Sequence, residues 1–234
     1  MEKFVAVVLA GGSGKRMNAD VRKQYLLIKE KPVLYYSLKA FEDSAVDEIV
    51  LVVGAGEIDY CRQEIVEKYG FRKVKSIVTG GKERYHSVFE GLKAVQNADY
   101  VLIHDGARPF VDDEIIHRTM SAVKEYQACV VGMPVKDTIK IADDKQYAKE
   151  TPERKYVWMV QTPQAFSYHL IYDAYEKMLQ NENTAITDDA MVLESMTSHQ
   201  VRLIEGNYRN IKITTPEDLL VAEAYLTQET PKNQ

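Results

Sequence analysis

Two patterns in this chain predict a three-layer α/β/α fold built on a mostly parallel, twisted sheet. Short runs rich in β-branched residues, FVAVVL, EIVLVV, VKSIVT, YVLIH and ACVVGMP, alternate with longer amphipathic stretches. Those runs are also apolar at nearly every position rather than at every second one, so they need cover on both faces, which helices placed between parallel strands provide. The expectation is a Rossmann-like α/β domain. A chain of 234 residues suits one domain with one sizeable core, spanning 1–228, with a polar tail at 229–234.

The elements follow in order. FVAVVL is read as the first strand. Its short apolar run resembles a secretion signal, but a glycine-rich loop follows where a small-residue cleavage site would stand. Helices are expected at 32–42, 58–69, 84–95 and 112–126, each between two strand runs. The rhythm breaks at 135–157, a charged segment with weak alternation and no apolar stripe able to bury a helix. Spacing leaves two readings open there: a loose surface loop, or a protruding β-hairpin arm that is either mobile or packed on a second subunit. The chain returns with VWMVQTP, helices at 168–179 and 188–196, the strand run VRLIEG, then NIKIT and a last helix opened by Pro216, with a polar stretch after Leu226.

Composition narrows the function classes. With 45% hydrophobic and 28% charged residues, and no apolar run long enough to cross a bilayer, the chain reads as an ordinary globular protein. A formal charge of −5 argues against a general nucleic-acid coat, while a local cationic pocket for a triphosphate remains compatible with it. Cys61 and Cys129 lie far apart with no CxxC spacing, so neither zinc nor a disulfide framework is suggested and a reducing, cytoplasmic setting fits.

Chemistry concentrates in the loops. After the first strand comes LAGGSGKRM, where Ala10, Gly11, Gly12 and Gly14 allow close backbone approach to an anion and Lys15 and Arg16 add cations. A tight strand-to-helix connection would explain the glycines equally well, and Lys15 could equally be solvated. The Walker phosphate pattern is excluded for want of Gly-Lys-Ser/Thr, and the dinucleotide pattern is excluded by Met17 at its third small position. A hydride-transfer enzyme is therefore disfavoured. Lys23 follows in RKQYL, within a loop width of the cradle. Asp105 directly follows the buried run YVLIH and so emerges at the carboxyl end of the sheet, where it suits a Mg²⁺ ligand, since Mg²⁺ needs only one or two carboxylates beside phosphate oxygens. The plainer alternative is an aspartate that begins a turn.

The blocks GGKERYHSV, HDGARPF, QTPQAF, TDDA and NIKITTPEDL, in this order over almost the whole chain, resemble the methylerythritol phosphate cytidylyltransferase family of sugar nucleotidyltransferases. The resemblance implies transfer of a cytidylyl group from CTP to 2-C-methyl-D-erythritol 4-phosphate, with Mg²⁺ or another divalent cation and a homodimer in which each arm completes the partner's site. It implies catalytic roles for Arg16 and Lys23, and nucleotide contacts from Gly80, Gly81, Ser87 and Gly106. Acceptor contacts fall to Asp105, Arg108, Thr162, Thr187 and Lys212, and Thr138 and Arg154 of the arm reach the neighbouring subunit's acceptor phosphate. Lys82 departs from the aspartate the family often carries. Arg84 reads as a structural residue at a helix start, Asp188 as a helix cap and His104 as a packing or hydrogen-bonding residue rather than a base.

Two rivals stand beside this reading. A ribitol-5-phosphate cytidylyltransferase shares most blocks, but those relatives tend to carry a valine before the arginine of HDGARP and Ser-Asp-Ala in place of TDDA. A non-catalytic nucleotide-binding regulatory module would have lost the charges that Arg16, Lys23 and Asp105 retain.

Overall fold

The computed structural model of the chain describes residues 2–12, 22–180 and 186–229. Among these, β1 (Phe4–Ala10) is followed by a single 3-10 turn (Lys23–Tyr25) and a small hairpin, β2 (Leu27–Ile28) and β3 (Lys31–Pro32). Next come α1 (Val33–Asp43), β4 (Glu48–Val53), and α2 (Ile58–Tyr60), which runs into a wider π-helical stretch, Cys61–Glu67. β5 (Val74–Thr79), α3 (Arg84–Ala94), β6 (Tyr100–Asp105), α4 (Asp113–Tyr126) and β7 (Ala128–Pro134) continue the alternation. A short pair, β8 (Ile141–Ala142) and β9 (Ala148–Glu150), precedes β10 (Trp158–Ser167), α5 (Tyr168–Gln180), α6 (Asp189–Met196), β11 (Arg202–Glu205) and α7 (Pro216–Glu229).

Seven strands form one sheet in the order β11-β7-β10-β6-β1-β4-β5. Every pairing in it is parallel except those of β10 with β6 and β7. Alternate residues of β1 serve different cores, as the period of two in a strand requires. Phe4, Ala6 and Val8 meet Leu38 and Phe41 of α1 and Ile116 of α4, whereas Val5 and Val7 belong with Val88 and Leu92 of α3 and Tyr175 of α5. Helices thus cover both faces, which is why the strand runs are apolar throughout and why the three-layer expectation is met.

The topology also fixes where a ligand can enter. From β1 the chain moves outward to β4 and β5, then crosses back to β6 on the other side of β1. The winding reverses between β1 and β6, and open α/β sheets bind ligands at the carboxyl ends of the strands beside such a reversal.

The expected helices at 32–42, 84–95, 112–126, 168–179 and 188–196 match α1, α3, α4, α5 and α6 with ends that differ by at most one residue. Three features differ from expectation. The β2–β3 hairpin turns at Lys29 and Glu30, both with positive φ (45° and 69°), a conformation usually signalled by Asn-Gly or Asp-Gly and here carried by residues that give no such signal. NIKIT is irregular, and its Ile213 N–H donates to the carbonyl of Ala107 at 2.8 Å. The last helix continues past Leu226 to Glu229. The 135–157 segment is the hairpin rather than the loose loop, because β8 and β9 pair antiparallel, and it is largely exposed, with Tyr147 and Tyr156 at 72% and 73%. Among the described residues no helix is long and apolar enough to cross a membrane.

Candidate active site

The carboxyl ends of β1 and β6 open into a cleft of about 310 Å³. Ala10, Gly11, Gly12 and Gly81 offer backbone to it, while Lys23, Lys82, Arg84 and Lys212 outnumber Glu83 and Asp105 as charged walls. A locally cationic pocket within a chain of formal charge −5 is what a polyphosphate requires. Gly14, Lys15 and Arg16 lie outside the described residues. A larger, shallower depression of about 1130 Å³ beside Tyr126, His199 and Arg202 has no glycine turn among its walls.

The nucleotide side is held by local bonds. Gln24 Nε2 donates to the Ala10 carbonyl, Arg22 pairs with Glu57 at 2.8 Å, and the Tyr25 hydroxyl donates to the same carboxylate at 3.0 Å. Both neighbours of Lys23 in the chain are therefore tied to the strand ends that frame the cleft. On the facing loop, Gly80 N–H donates to the Val53 carbonyl at 2.7 Å. A side chain on Gly81 would come within 2.3 Å of His86 Cβ, so the loop tolerates only glycine there. Gly81 N–H donates to Ser87 Oγ at 3.1 Å, which places that hydroxyl at the base of the turn at the start of α3.

Asp105 ends β6 with its carboxylate between two cations: Lys212 Nζ lies 2.6 Å from Oδ2 and Arg84 Nε 3.3 Å from Oδ1. Burial alone would raise its pKa, but Arg84, then Lys212 and Arg108, outweigh it and hold the carboxyl well below the usual range. Asp105 is ionised at every pH of interest. Behind it runs a chain of hydrogen bonds. Asp105 N–H donates to Thr162 Oγ1 at 3.1 Å, Thr162 Oγ1 meets His104 Nδ1 at 3.0 Å, and His104 Nε2 meets the Arg108 carbonyl at 3.2 Å. A carbonyl only accepts, so Nε2 carries the proton and Nδ1 accepts from the threonine. Full burial lowers the His104 pKa to about 3, which keeps the ring neutral and accords with its two hydrogen bonds. Arg108 donates to the Asn210 carbonyl at 2.7 Å and so ties the loop after β6 to NIKIT. Gly106 admits no side chain without meeting Leu34 Cδ1 at 2.8 Å and the Leu9 carbonyl at 3.0 Å.

The remaining expected residues divide. Thr162 is 3% exposed with its proton committed to His104, so the expectation of direct acceptor contact gives way to a supporting place beneath the Asp105 loop. Its position follows from β10, whose ladder with β7 shifts register between Val160 and Gln164. Thr187 is exposed just ahead of α6 and is not among the cleft walls. Thr138 and Arg154 are exposed on the arm, away from the cleft of their own chain, with Arg154 donating to the Lys136 carbonyl at 2.8 Å. Asp188 caps α6 through Met191 N–H at 2.9 Å, as expected. Arg84 is more than a helix start, since it lines the cleft and touches Asp105. Asp189, fully buried beneath it, escaped the sequence reading altogether; its one signal is the second aspartate of TDDA.

Among the described residues no group of three or more His, Cys, Asp or Glu is placed to hold a metal ion. The fit to Mg²⁺ rests instead on Asp105, a single ionised hard-oxygen donor at the cleft wall, which is enough where phosphate oxygens supply the other positions.

A sheet that reverses between β1 and β6, with cations gathered over exposed backbone at the reversal, suits a nucleotide polyphosphate, and the family the chain matches is one of nucleotidyltransferases. More narrowly, the chain belongs to the 2-C-methyl-D-erythritol 4-phosphate cytidylyltransferase family, whose model (IspD) matches residues 4–228. The enzyme of that name from Lachnoclostridium phytofermentans is 51% identical over 228 residues, covering 97% of this chain and 98% of the relative. That from Clostridium kluyveri is 51% identical over 224 residues, 95% of this chain and 96% of the relative. The solved 4-diphosphocytidyl-2C-methyl-D-erythritol synthase of Anaerococcus prevotii superposes with a TM-score of 0.86 at 38% identity, covering 97% of this chain and 96% of that one. The Thermus thermophilus cytidylyltransferase does so with a TM-score of 0.76 at 29% identity, over 94% and 98% of the two chains.

Proposed function

We propose that this chain transfers the cytidylyl group of CTP to 2-C-methyl-D-erythritol 4-phosphate, releasing pyrophosphate, in the cleft between β1 and β6. The observation that carries this reading is the meeting of the glycine turn, Lys23, Asp105 and Lys212 in one cavity of about 310 Å³. The reaction is an in-line attack of the acceptor phosphate oxygen on the α-phosphorus, with no covalent enzyme intermediate. An acceptor phosphate is already ionised near neutral pH, so no general base is needed, in keeping with a neutral, buried His104.

Lys23, with Arg16, neutralises charge that builds on the transferring phosphoryl group and the departing pyrophosphate. Backbone of Gly11, Gly12, Gly80 and Gly81, with Ser87, fixes the nucleotide, whose alignment with the acceptor supplies much of the rate. Lys212 and Thr187 take the acceptor phosphate, and Arg108 and Thr162 hold the loop that carries Asp105. Asp105 would hold Mg²⁺, which when bound supplies charge neutralisation across the phosphates. We assign a homodimer in which Thr138 and Arg154 complete the partner's acceptor site. Support comes from the exposed apolar residues Ile141, Tyr147, Tyr156, Met159 and Val160 on and beside the arm. The two free, buried thiols Cys61 and Cys129 accord with a cytoplasmic setting.

Pyrophosphate release with CTP and Mg²⁺, compared between methylerythritol phosphate and ribitol 5-phosphate, tests this. Turnover with the first alone is expected. Preference for ribitol phosphate would keep the fold and reaction type and replace the acceptor, and release with neither would overturn the proposal.

A further inference from the structure

The Arg84 guanidinium is divided between two carboxylates. Its Nη1 and Nη2 each lie 2.8 Å from an oxygen of Asp189 in a bidentate pair, while Nε reaches Asp105 Oδ1 at 3.3 Å. Asp189 is fully buried and is not among the cleft walls. It is nonetheless completely bonded: the buried Tyr175 hydroxyl donates to its Oδ1 at 2.6 Å, and its backbone N–H donates to Gln164 Oε1 at 3.0 Å. The same glutamine oxygen accepts from Ala190 N–H at 3.0 Å, and its Nε2 donates to Asp188 at 3.1 Å. One residue thus joins α3, α5, α6 and β10 behind the loop that follows Asp105.

A buried ion pair is a poor way to stabilise a fold, because desolvating both charges offsets their attraction and apolar residues of similar size serve as well. The pairing has a clearer consequence for Asp105. Arg84 can present its Nη1/Nη2 edge to only one carboxylate at a time. With that edge engaged by Asp189, Arg84 meets Asp105 Oδ1 through Nε at 3.3 Å, while Lys212 Nζ holds the other oxygen, Oδ2, at 2.6 Å. Without the Asp189 charge, that edge is free to close on Asp105 and occupy the oxygens that a divalent cation needs.

We propose that Asp189 is a positioning residue: by engaging that edge of Arg84 it sets the orientation and free charge of the Asp105 carboxylate for a divalent cation bound with CTP. This rests on the reading of Asp105 as the residue that holds Mg²⁺. Neither Asp189 nor Tyr175 meets substrate; both act through Arg84.

The test is calorimetric titration of CTP into the full chain at several Mg²⁺ concentrations, with urea unfolding alongside, for Asp189→Asn, Asp105→Asn and the paired replacement Arg84→Met with Asp189→Leu. Asp189→Asn is expected to raise the Mg²⁺ concentration for half-maximal CTP binding about tenfold, the range typical for groups that orient a metal ligand. The paired replacement is expected to keep wild-type resistance to urea yet still require more Mg²⁺, since Asp105 has lost one of the two cations that orient it. Asp105→Asn separates the two levels of the argument. If it leaves the Mg²⁺ requirement unchanged, the reading of Asp105 fails. If it raises that requirement while the Asp189 variants lower only stability, the positioning role fails and the network is purely structural. Should Asp189→Asn not fold, the paired replacement decides on the same criterion.

Discussion

The backbone N–H of Asp105 donates to the hydroxyl of Thr162 at 3.1 Å, and that hydroxyl in turn serves His104 at 3.0 Å. The residue assigned to the metal is therefore aimed by a threonine 57 positions away, on the strand antiparallel to its own. Thr162→Val keeps the shape and leaves a buried donor and a buried acceptor without partners, which costs about 1–3 kcal/mol of stability. Urea unfolding should show that loss. Thr162→Ser restores both bonds and should lie close to wild type; a Val variant of unchanged stability would remove the hydroxyl from this role.

His104 makes stability depend on pH. Its folded-state pKa of about 3 lies below the ordinary 6.5, so the unfolded chain takes up a proton that the folded chain refuses. The contribution is full above pH 6.5 and lost as pH falls toward 3. The slope is about 1.4 kcal/mol per pH unit within that window. Asp105, also depressed, acts in the same direction but only below the unfolded carboxylate range, as pH falls through its folded value. Unfolding free energies from urea titrations at about pH 7.5 and about pH 5 should differ by roughly 2 kcal/mol, and His104→Gln should remove most of that difference. An unchanged slope in the variant would mean that another group is responsible.

Much of the fold was legible because its strands are buried on both faces. FVAVVL and YVLIH are apolar at nearly every position, and only a sheet covered on two sides makes use of that. Helix ends were readable where a cap stood, as with Asp112 before α4 and Asp188 before α6. The β2–β3 hairpin was not, because Lys29 and Glu30 adopt positive φ without the residues that usually announce it. At the site, the glycine loops and the aspartate that ends β6 are local signals, legible from residue type and position alone. The direction in which Thr162 points is not local: spacing puts it near the cleft, and the register shift in β10 turns it inward. Arg84 and Asp189 are 105 residues apart, and no pattern in one sequence pairs them.

Lys212 and Lys23 should separate in kinetics. Lys212 sits on Asp105 at 2.6 Å with its own side chain 35% exposed, and Arg84 and Arg108 still compensate the Asp105 charge when Lys212 is lost. Lys212→Met should fold normally and raise the acceptor KM while leaving CTP binding nearly intact, because a phosphate monoester loses its main cation. Lys23→Ala should instead lower kcat by about two to three orders of magnitude, as removal of a charge that acts chiefly in the transition state does. Initial rates over a grid of both substrates distinguish the two patterns. Equal effects on the acceptor KM would show that the cations do not divide the work in this way.

The arm allows a test of shared sites that needs no structure of the assembly. If Arg154 of one protomer serves the partner's cleft while Lys23 serves its own, the Lys23→Ala and Arg154→Ala enzymes are each nearly inactive alone. Mixed as equal amounts and allowed to exchange subunits, half of the dimers are hybrids. In each hybrid one cleft collects both defects and the other collects neither, since a two-fold dimer has two equivalent sites. Activity should then return to about a quarter of the wild-type level. Arg154 is exposed and donates within its arm to the Lys136 carbonyl at 2.8 Å, so its loss should leave each protomer folded. No recovery on mixing, with subunit exchange verified by differently tagged protomers, would place Arg154 in the cleft of its own chain or outside the reaction.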